Sequence, residues 1–262
     1  MAHEFNRSSE RVGDECYKTH YNFHMFISVA ELSQDWNVSP NGVLHIGAHL
    51  AEEAEQYEKF GWVPAIWVEA QPKLVEQLRL KLSSSRHKVI EAAIWEESDV
   101  KFKLHIASNS QSSSLLNFGS HSKSYPDIKF TSEIEVSTKR LDSLINLNEM
   151  PNFINLDIQG VELPAIKSLG ILIEKLDYIY VEVNRKEVYE GCTQVTDLDD
   201  YLAIKGFDRV ITRWYIKQGW GDAFYVRQDL ISRKTITQVI RHYVRHCKFY
   251  FRQALGFVKS YF

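Results

Sequence analysis

The sequence has few cysteines and no long apolar run. Its three cysteines, Cys16, Cys192 and Cys247, lie far apart among 262 residues, which argues against a disulfide framework or a paired-cysteine metal site. No stretch approaches the roughly 20 uninterrupted apolar residues of a membrane span, and residues 1–15 contain no apolar signal core. We therefore expect a soluble, cytoplasmic protein with reduced thiols.

Acidic residues are absent from the end of the chain. Residues 231–262 contain seven Lys or Arg and no Asp or Glu, which leaves −10 (the total of −3 less +7) on residues 1–230. Apolar residues recur there every three or four positions, and this spacing predicts a basic amphipathic helix. Such a helix lies on the inner face of a membrane, or packs on the domain, a partner or a second copy of the chain. The acidic remainder disfavours nucleic acid.

The predicted turn at residues 47–51 contains one glycine, fewer than a dinucleotide-binding turn has. Val43–Ile46 has the pattern of a buried strand, residues 47–51 that of a turn and residues 52–60 that of a helix, and a second apolar strand ends at Glu69, 22 positions after Gly47. An acid about 20 residues after the turn is placed to accept hydrogen bonds from both ribose hydroxyls of a nucleotide. The second and third glycines of G-x-G-x-x-G are missing, which disfavours an NAD-binding oxidoreductase.

Strands and helices alternate along the rest of the chain. This order predicts an α/β fold with a mostly parallel, doubly wound sheet, closed by a hairpin that places an antiparallel strand at one edge. Thr196 and Asp199 resemble a capping box. The predicted helices are 21–36, 72–82, 161–169 and 196–206; the predicted strands are 88–95, 100–106, 134–136, 152–156, 178–181, 209–216 and 223–227, with a long loop at 107–129. We divide the chain into an arm and helix (1–41), one domain (42–229) and the basic tail (230–262).

Several blocks between Val43 and Arg227 resemble the FkbM family of S-adenosylmethionine-dependent methyltransferases. They are VLHIGAH (43–49), AIWVEAQP (65–72), EAAIWEES (91–98), SSSLL (112–116), TKRLDSL (138–144), FINLDIQGVEL (153–163), YVEVN (180–184) and WGDAFYVR (220–227). The resemblance implies a Rossmann-like class I methyltransferase fold and S-adenosylmethionine as cofactor. Two positions depart from the family pattern: His45 replaces an Asp, and Ala51 replaces a Gly.

The candidate cofactor-binding residues follow the strands. Glu69 is expected to bind the ribose, because a lone acid at the end of an apolar strand is otherwise costly. Beside the methionine half we expect His45, Gly47, Ala48, His49 and Asp157, and near the adenine Ala70, Gln71 and Ala93. The resemblance adds Ser113, in a block that closes on the cofactor.

Methyl transfer to a hydroxyl requires a base, because an aliphatic hydroxyl is a poor nucleophile. Asp157 follows a strand and is the first candidate, although it is also placed to cap the next helix. Glu162, Glu182 and His49 are the other candidate catalytic residues. Each of these three also has a structural alternative to catalysis. The helix dipole would stabilise Glu162, solvent at the sheet edge would surround Glu182, and His49 would act as a hydrogen-bond donor in the turn. No spacing of histidines and acids indicates a metal site.

The resemblance implies an O-methyltransferase that acts on a hydroxyl of a glycan or nucleotide-sugar. Two alternatives stay open: a natural-product O-methyltransferase, and a non-catalytic cofactor-binding scaffold in glycan assembly.

Overall fold

The computed structural model describes residues 25–84, 86–215 and 218–231. The arm predicted over residues 1–20, most of the basic tail and their predicted contacts lie outside the described residues. Within these ranges, no helix has the length and apolar character needed to cross a membrane.

The described chain forms ten strands in two sheets. They are β1 Val43–Ile46, β2 Ala65–Glu69, β3 His87–Glu91, β4 Ala93–Ile94, β5 Lys101–Ala107, β6 Phe130–Lys139, β7 Phe153–Leu156, β8 Tyr178–Asn184, β9 Phe207–Tyr215 and β10 Trp220–Arg227. The large sheet has the order β3-β2-β1-β7-β8-β10-β9, and the small sheet has the order β4-β6-β5.

Helices cover both faces of the large sheet. They are α1 Val29–Asp35, α2 Ala54–Phe60, α3 Pro72–Lys81, α4 His121–Ser124, α5 Leu141–Leu144, α6 Glu162–Lys167 and α7 Val195–Ile204, with 3₁₀ turns at Gly170–Lys175 and Gln228–Leu230. Neighbouring residues of β1 point to opposite faces, so that Val43 packs with α1, α2 and α3 while Leu44 packs with α5, α6 and α7. The predicted doubly wound sheet is confirmed.

The antiparallel strand lies inside the sheet and not at its edge, which corrects the prediction. β10 runs antiparallel to both β8 and β9 and separates them. β10 is buried along almost its whole length, whereas β9 exposes Asp208 and Arg209. The more apolar strand therefore takes the inner position, and the more polar one forms the edge.

Three other elements differ from the prediction. The predicted strand 88–95 is two strands, because the chain leaves β2 after Ala92 and β4 then pairs with β6. The helix predicted over 21–36 begins in the described chain at Val29, where the Ser28 hydroxyl caps it. The capping box of α7 is formed by Gln194 and Asp197 in place of the predicted pair. The strands predicted at 100–106 and 134–136 are present and pair antiparallel as β5 and β6, the second longer than predicted.

Candidate active site

The turn after β1 is held against the ends of β2 and β7. The N–H groups of Gly47 and Ala48 both donate to the carbonyl of Val68, at 2.9 and 3.0 Å. Gly47 has a φ of +85°, and a Cβ at this position would lie 1.9 Å from the carbonyl oxygen of Asp157. A side chain is therefore excluded here. Ala51 also adopts a left-handed φ of 50°, a conformation that glycine reaches at lower cost than alanine.

Glu69 ends β2 with its carboxylate buried and hydrogen-bonded. Its Oε2 accepts the N–H of His49 at 2.9 Å, and its Oε1 accepts the N–H of Gln71 at 2.9 Å. Burial raises the pKa of this carboxyl, and the backbone hydrogen bonds oppose that rise. Each oxygen keeps a second acceptor position, so the carboxylate can accept two further hydroxyl protons.

A first cleft, here called the β2 cleft, opens beside Glu69. Its floor is apolar, with Val68, Ala92, Ala93, Ile94, Leu104 and Leu115 among the lining residues. The structure brings eight of the predicted cofactor residues together in this cleft: Gly47, His49, Glu69, Ala70, Gln71, Ala93, Ser113 and Asp157. Ser113 belongs to the loop 107–129, and its hydroxyl accepts the N–H of Ala107 at 3.0 Å.

A second cleft, the β8 cleft, lies along the ends of β7, β8 and β10. It is lined by the predicted residues His45, Gly47, Ala48, His49, Asp157 and Glu182. The two clefts share Gly47, His49, Gln111, Asp157 and Gln159. A ligand in one cleft therefore meets a ligand in the other at the end of β7.

Gln159 was missed by the sequence reasoning and connects the acids of the β8 cleft. Its side-chain amide donates to Asp157 and, at 3.2 Å, to Glu182, while its carbonyl oxygen accepts the hydroxyl proton of Tyr189. Gln159 has a φ of 57°, which turns it back over the end of β7. Its position inside the block 153–163 was a signal, but the role of the amide needed the partners on β8 and beyond.

Asp222 was also missed. It lies directly opposite Glu182 on the neighbouring strand and accepts hydrogen bonds from Tyr180 Oη and, at 2.8 Å, from the N–H of Phe26. Burial raises the pKa of Asp222 to about 7. Burial and the charge of Asp157 raise the pKa of Glu182 well above its ordinary value. A lone acid in an apolar strand was the available signal, as at Glu69.

Two of the predicted catalytic residues make structural contacts. Glu162 is fully buried and lines neither cleft; its Oε1 accepts the N–H of Gly160 at 2.9 Å and of Ile158 at 3.4 Å. Burial raises its pKa to about 7. His49 has both ring nitrogens occupied, by Glu52 at 2.6 Å and by Ser110 at 2.8 Å. These contacts favour the structural alternatives, and the catalytic roles remain predictions.

His45 faces a buried polar chain. Its Nδ1 lies 3.2 Å from the Tyr57 hydroxyl, which also accepts the side-chain amide of Asn155 at 3.0 Å. The imidazole stacks on Trp67 with ring centres 4.9 Å apart. Nearby, burial raises the pKa of Glu53, another acid of the β8 cleft, to about 8. His45 therefore borders the cleft as part of a packed aromatic layer.

Aromatic side chains form the outer wall of the β8 cleft. Phe26, Tyr215 and Trp220 stack on one another with ring centres 5.1–5.6 Å apart, and all three line the cleft. Arg213 donates to the Phe26 carbonyl and holds both oxygens of Glu31 at 2.7 Å. The segment before α1 thus completes the site from a distance of almost 200 residues along the chain. Within residues 25–84, 86–215 and 218–231, no group of three or more His, Cys, Asp or Glu is arranged to hold a metal ion.

A comparison with known protein families matches the sequence of this chain to one family. The family described as the methyltransferase FkbM domain matches residues 44–209. Among solved structures, the chain is similar to magnesium protoporphyrin IX methyltransferase from Synechocystis PCC 6803, with 12% identity, 76% of each chain covered and a TM-score of 0.43. It is also similar to TrmK from M. capricolum in complex with S-adenosyl-homocysteine, with 10% identity, 77% of this chain and 71% of that chain covered, and a TM-score of 0.43. No curated protein matches the sequence.

Proposed function

Because the chain belongs to the FkbM methyltransferase family, we propose that it transfers the methyl group of S-adenosylmethionine to a hydroxyl of a glycan or a nucleotide-sugar. The chain is an S-adenosylmethionine-dependent methyltransferase, and the hydroxyl acceptor is the part that we propose. One observation supports the hydroxyl acceptor: the β8 cleft, which contains carboxylates and stacked aromatic rings, joins the β2 cleft at Asp157. Aromatic faces and carboxylate acceptors together suit a ring that bears several hydroxyls.

The β2 cleft fits the cofactor. Glu69 retains acceptor positions for the ribose hydroxyls, and the apolar floor at Ala93 suits the adenine ring. The side-chain-free turn at Gly47 lets a ligand approach the backbone. When bound, S-adenosylmethionine supplies an electrophilic methyl group on a positively charged sulfur.

Asp157 is the base that we assign to the reaction. It lines both clefts and therefore stands where the acceptor hydroxyl meets the cofactor. As the hydroxyl oxygen attacks, its proton passes to the Asp157 carboxylate. The side-chain amide of Gln159 donates to this carboxylate and also to Glu182, so it fixes the two acids relative to each other. Glu182 would accept a second hydroxyl of the acceptor and orient its ring.

The test compares Asp157→Asn with the wild-type protein and with Asp200→Asn, a change at an exposed position of α7. Each protein receives methyl-labelled S-adenosylmethionine and a panel of neutral, amino and nucleotide sugars, and methyl ethers are detected by mass spectrometry. We expect Asp157→Asn to lose about 10²–10⁴-fold in turnover, the usual contribution of a general base, while its affinity for S-adenosyl-homocysteine stays the same. Asp200→Asn should retain wild-type turnover.

Binding of S-adenosyl-homocysteine without methylation of any sugar in the panel would contradict the glycan acceptor. Transfer to a nitrogen atom would contradict the hydroxyl. Full turnover in Asp157→Asn would remove Asp157 from the role of base.

A further inference from the structure

Two carboxylates face each other in the β8 cleft, and the described hydrogen bonds of the fold use one oxygen of each. Glu182 and Asp222 are direct partners across β8 and β10, a position where like charges destabilise a sheet. Both side chains are more than nine-tenths buried, at 8% and 6% exposure. Among the described residues, the hydrogen bonds to Glu182 reach only Oε2 and those to Asp222 only Oδ2. In the part of the chain that the structure describes, one oxygen of each carboxylate is thus left to the cleft.

The surroundings do not neutralise this pair. No Lys or Arg is among the described residues that line either cleft, whereas the β8 cleft also contains the acids Glu52, Glu53 and Asp157. Arg213 is the partner of Asp222 on β9, but its guanidinium also binds both oxygens of Glu31. In the ligand-free protein, burial keeps protons on these carboxyls, because ionising both without a facing cation is costly. A ligand that supplies a positive group would offset this cost and allow the pair to ionise.

The cofactor is in the wrong place to supply that group. The β1 turn and Glu69 set the cofactor at β2, β1 and β7, whereas Asp222 lies on β10, three strands away from β1. With strands about 4.8 Å apart, the separation between the turn and Asp222 is roughly 14 Å. The pair consequently belongs to the acceptor's part of the site.

The aromatic wall adjoins the same two acids. Trp220 precedes Asp222 by two positions on β10 and so lies on the same face of the sheet. The backbone of Phe26, whose ring stacks on Trp220, donates to Asp222. Aromatic faces beside carboxylates are the usual surroundings of a bound ammonium group.

His121 covers the cleft without adding a charge. Its ring lies on Phe118 with centres 4.3 Å apart, it is 5% exposed, and it lines the β8 cleft. Its Nδ1 is buried with no hydrogen-bond partner among the described residues. Burial lowers the pKa of His121 to about 4, so the imidazole is neutral near pH 7. It therefore adds no positive charge to the cleft and does not compete with a cation.

We infer that the acceptor carries a protonated amine on its hydroxylated ring, as in an amino sugar, and that Glu182 and Asp222 bind this ammonium group. This inference rests on the proposed function and narrows its acceptor class. A phosphate or carboxylate of the acceptor would meet only acids in the β8 cleft, so the diphosphate of a nucleotide-sugar would have to stay outside it.

The experiment uses the full chain saturated with S-adenosyl-homocysteine, and the binding of that product is measured first. Glucosamine, N-acetylglucosamine, glucose and glucuronate are then titrated by calorimetry into wild type, Asp222→Asn, Asp222→Glu and Asp208→Asn. Asp208 is an exposed acid of β9 and serves as the matched control. The Asp222→Asn change keeps a side-chain oxygen for Phe26 and Tyr180 but removes the charge.

We expect glucosamine to bind at least about tenfold more tightly than the two neutral sugars, because a hydrogen bond between charged groups is stronger than one between neutral groups. This preference should disappear in Asp222→Asn, remain in Asp208→Asn and partly return in Asp222→Glu. Equal binding of glucosamine and glucose, a preference for glucuronate, or no binding of glucosamine would overturn the inference. Failure to bind S-adenosyl-homocysteine in the first step would instead count against the proposed function.

Discussion

Two glutamates end neighbouring strands at the same register and meet opposite surroundings. Glu69 on β2 is paired with Glu91 on β3. Glu69 is buried and binds two backbone N–H groups, whereas Glu91 is exposed and lies 4.0 Å from Arg79. The same residue type therefore lines a cleft at the end of β2 and forms a surface charge at the end of β3.

Glu69→Gln tests the ribose contact at the scale of one residue. The amide would place a donor against the N–H of His49 or of Gln71 and would lose the charge that strengthens hydrogen bonds to hydroxyls. We expect the affinity for S-adenosyl-homocysteine to fall by roughly 10–100-fold, which corresponds to the loss of one or two such bonds. Calorimetry measures it, with Glu91→Gln as the control. Unchanged affinity in Glu69→Gln would remove this residue from the cofactor site.

The sequence was sufficient to place in the clefts those side chains whose position depends on their own strand, while their roles stay predictions. The acid after an apolar strand predicted Glu69, and the end of β7 predicted Asp157. It was not sufficient for Gln159, because its three partners come from β7, β8 and the loop before α7. Nor did it indicate that His49 is bound at both nitrogens, since Ser110 is 61 positions away along the chain.

At the scale of elements, the segment before α1 is fastened to β9 by one guanidinium group. Arg213 is mostly buried, at 13% side-chain exposure; its Nη2 donates to both carboxylate oxygens of Glu31, and its Nη1 donates to the carbonyl of Phe26. On the same strand, Arg209 binds Asp199 through Nε and Nη2, one nitrogen for each oxygen, but both side chains are about one-third exposed. The two ion pairs therefore differ in burial and in the extra contact that Arg213 makes with Phe26.

Arg213→Lys tests this fastening. Lysine keeps the charge but has one nitrogen, so it cannot bind Glu31 and the Phe26 carbonyl as the guanidinium does. We therefore expect the segment from Phe26 to α1 to open more readily by about 1–3 kcal/mol. Hydrogen exchange of the amides of Ile27 and Leu32 measures the opening. Arg209→Lys should change stability by less than about 0.5 kcal/mol, because exposed pairs contribute little. Equal exchange in both variants would contradict the role of Arg213.

The predicted elements were most accurate where periodicity and turn residues agreed. β1, β2 and α3 have almost the predicted bounds. The start of α1 was wrong because the N–H groups of Phe26 and Ile27 bind Asp222 and Tyr180, and these partners are not visible in local sequence. The inner position of β10 depends on which strand is better buried, a property of the assembled sheet.

At the scale of the whole molecule, buried acids make the ligand-free protein sensitive to pH. Asp222 faces Glu182 on β8, Arg213 on β9 and the hydroxyl of Tyr180, and its pKa is raised from 3.8 to about 7. The folded protein therefore holds this proton when the unfolded chain has lost it. The stability from this group is fully present below pH 3.8 and is lost as the pH rises through about 7.

The Asp222→Asn variant lacks this titrating carboxyl and should not lose stability from it as the pH rises. Between pH 6 and pH 8 we expect the free energy of unfolding of the wild type to fall, relative to that of the variant, by about 1 kcal/mol. The difference in melting temperature should then shift by about 3 °C in favour of the variant, measured in parallel thermal scans. Asp208→Asn should follow the wild type. A constant difference between wild type and Asp222→Asn at both pH values would contradict the raised pKa.

The order of the strands has a consequence for synthesis on the ribosome. Phe26 binds Asp222, and the two residues are separated by 196 positions. The aromatic outer wall of the β8 cleft thus joins one of the first parts of the domain to one of the last. A growing chain that has emerged only as far as α7 contains the β2 cleft in full, yet it lacks β9, β10 and the partner of Phe26. The nascent protein therefore has every described residue of the β2 cleft before it can form the pocket for the acceptor.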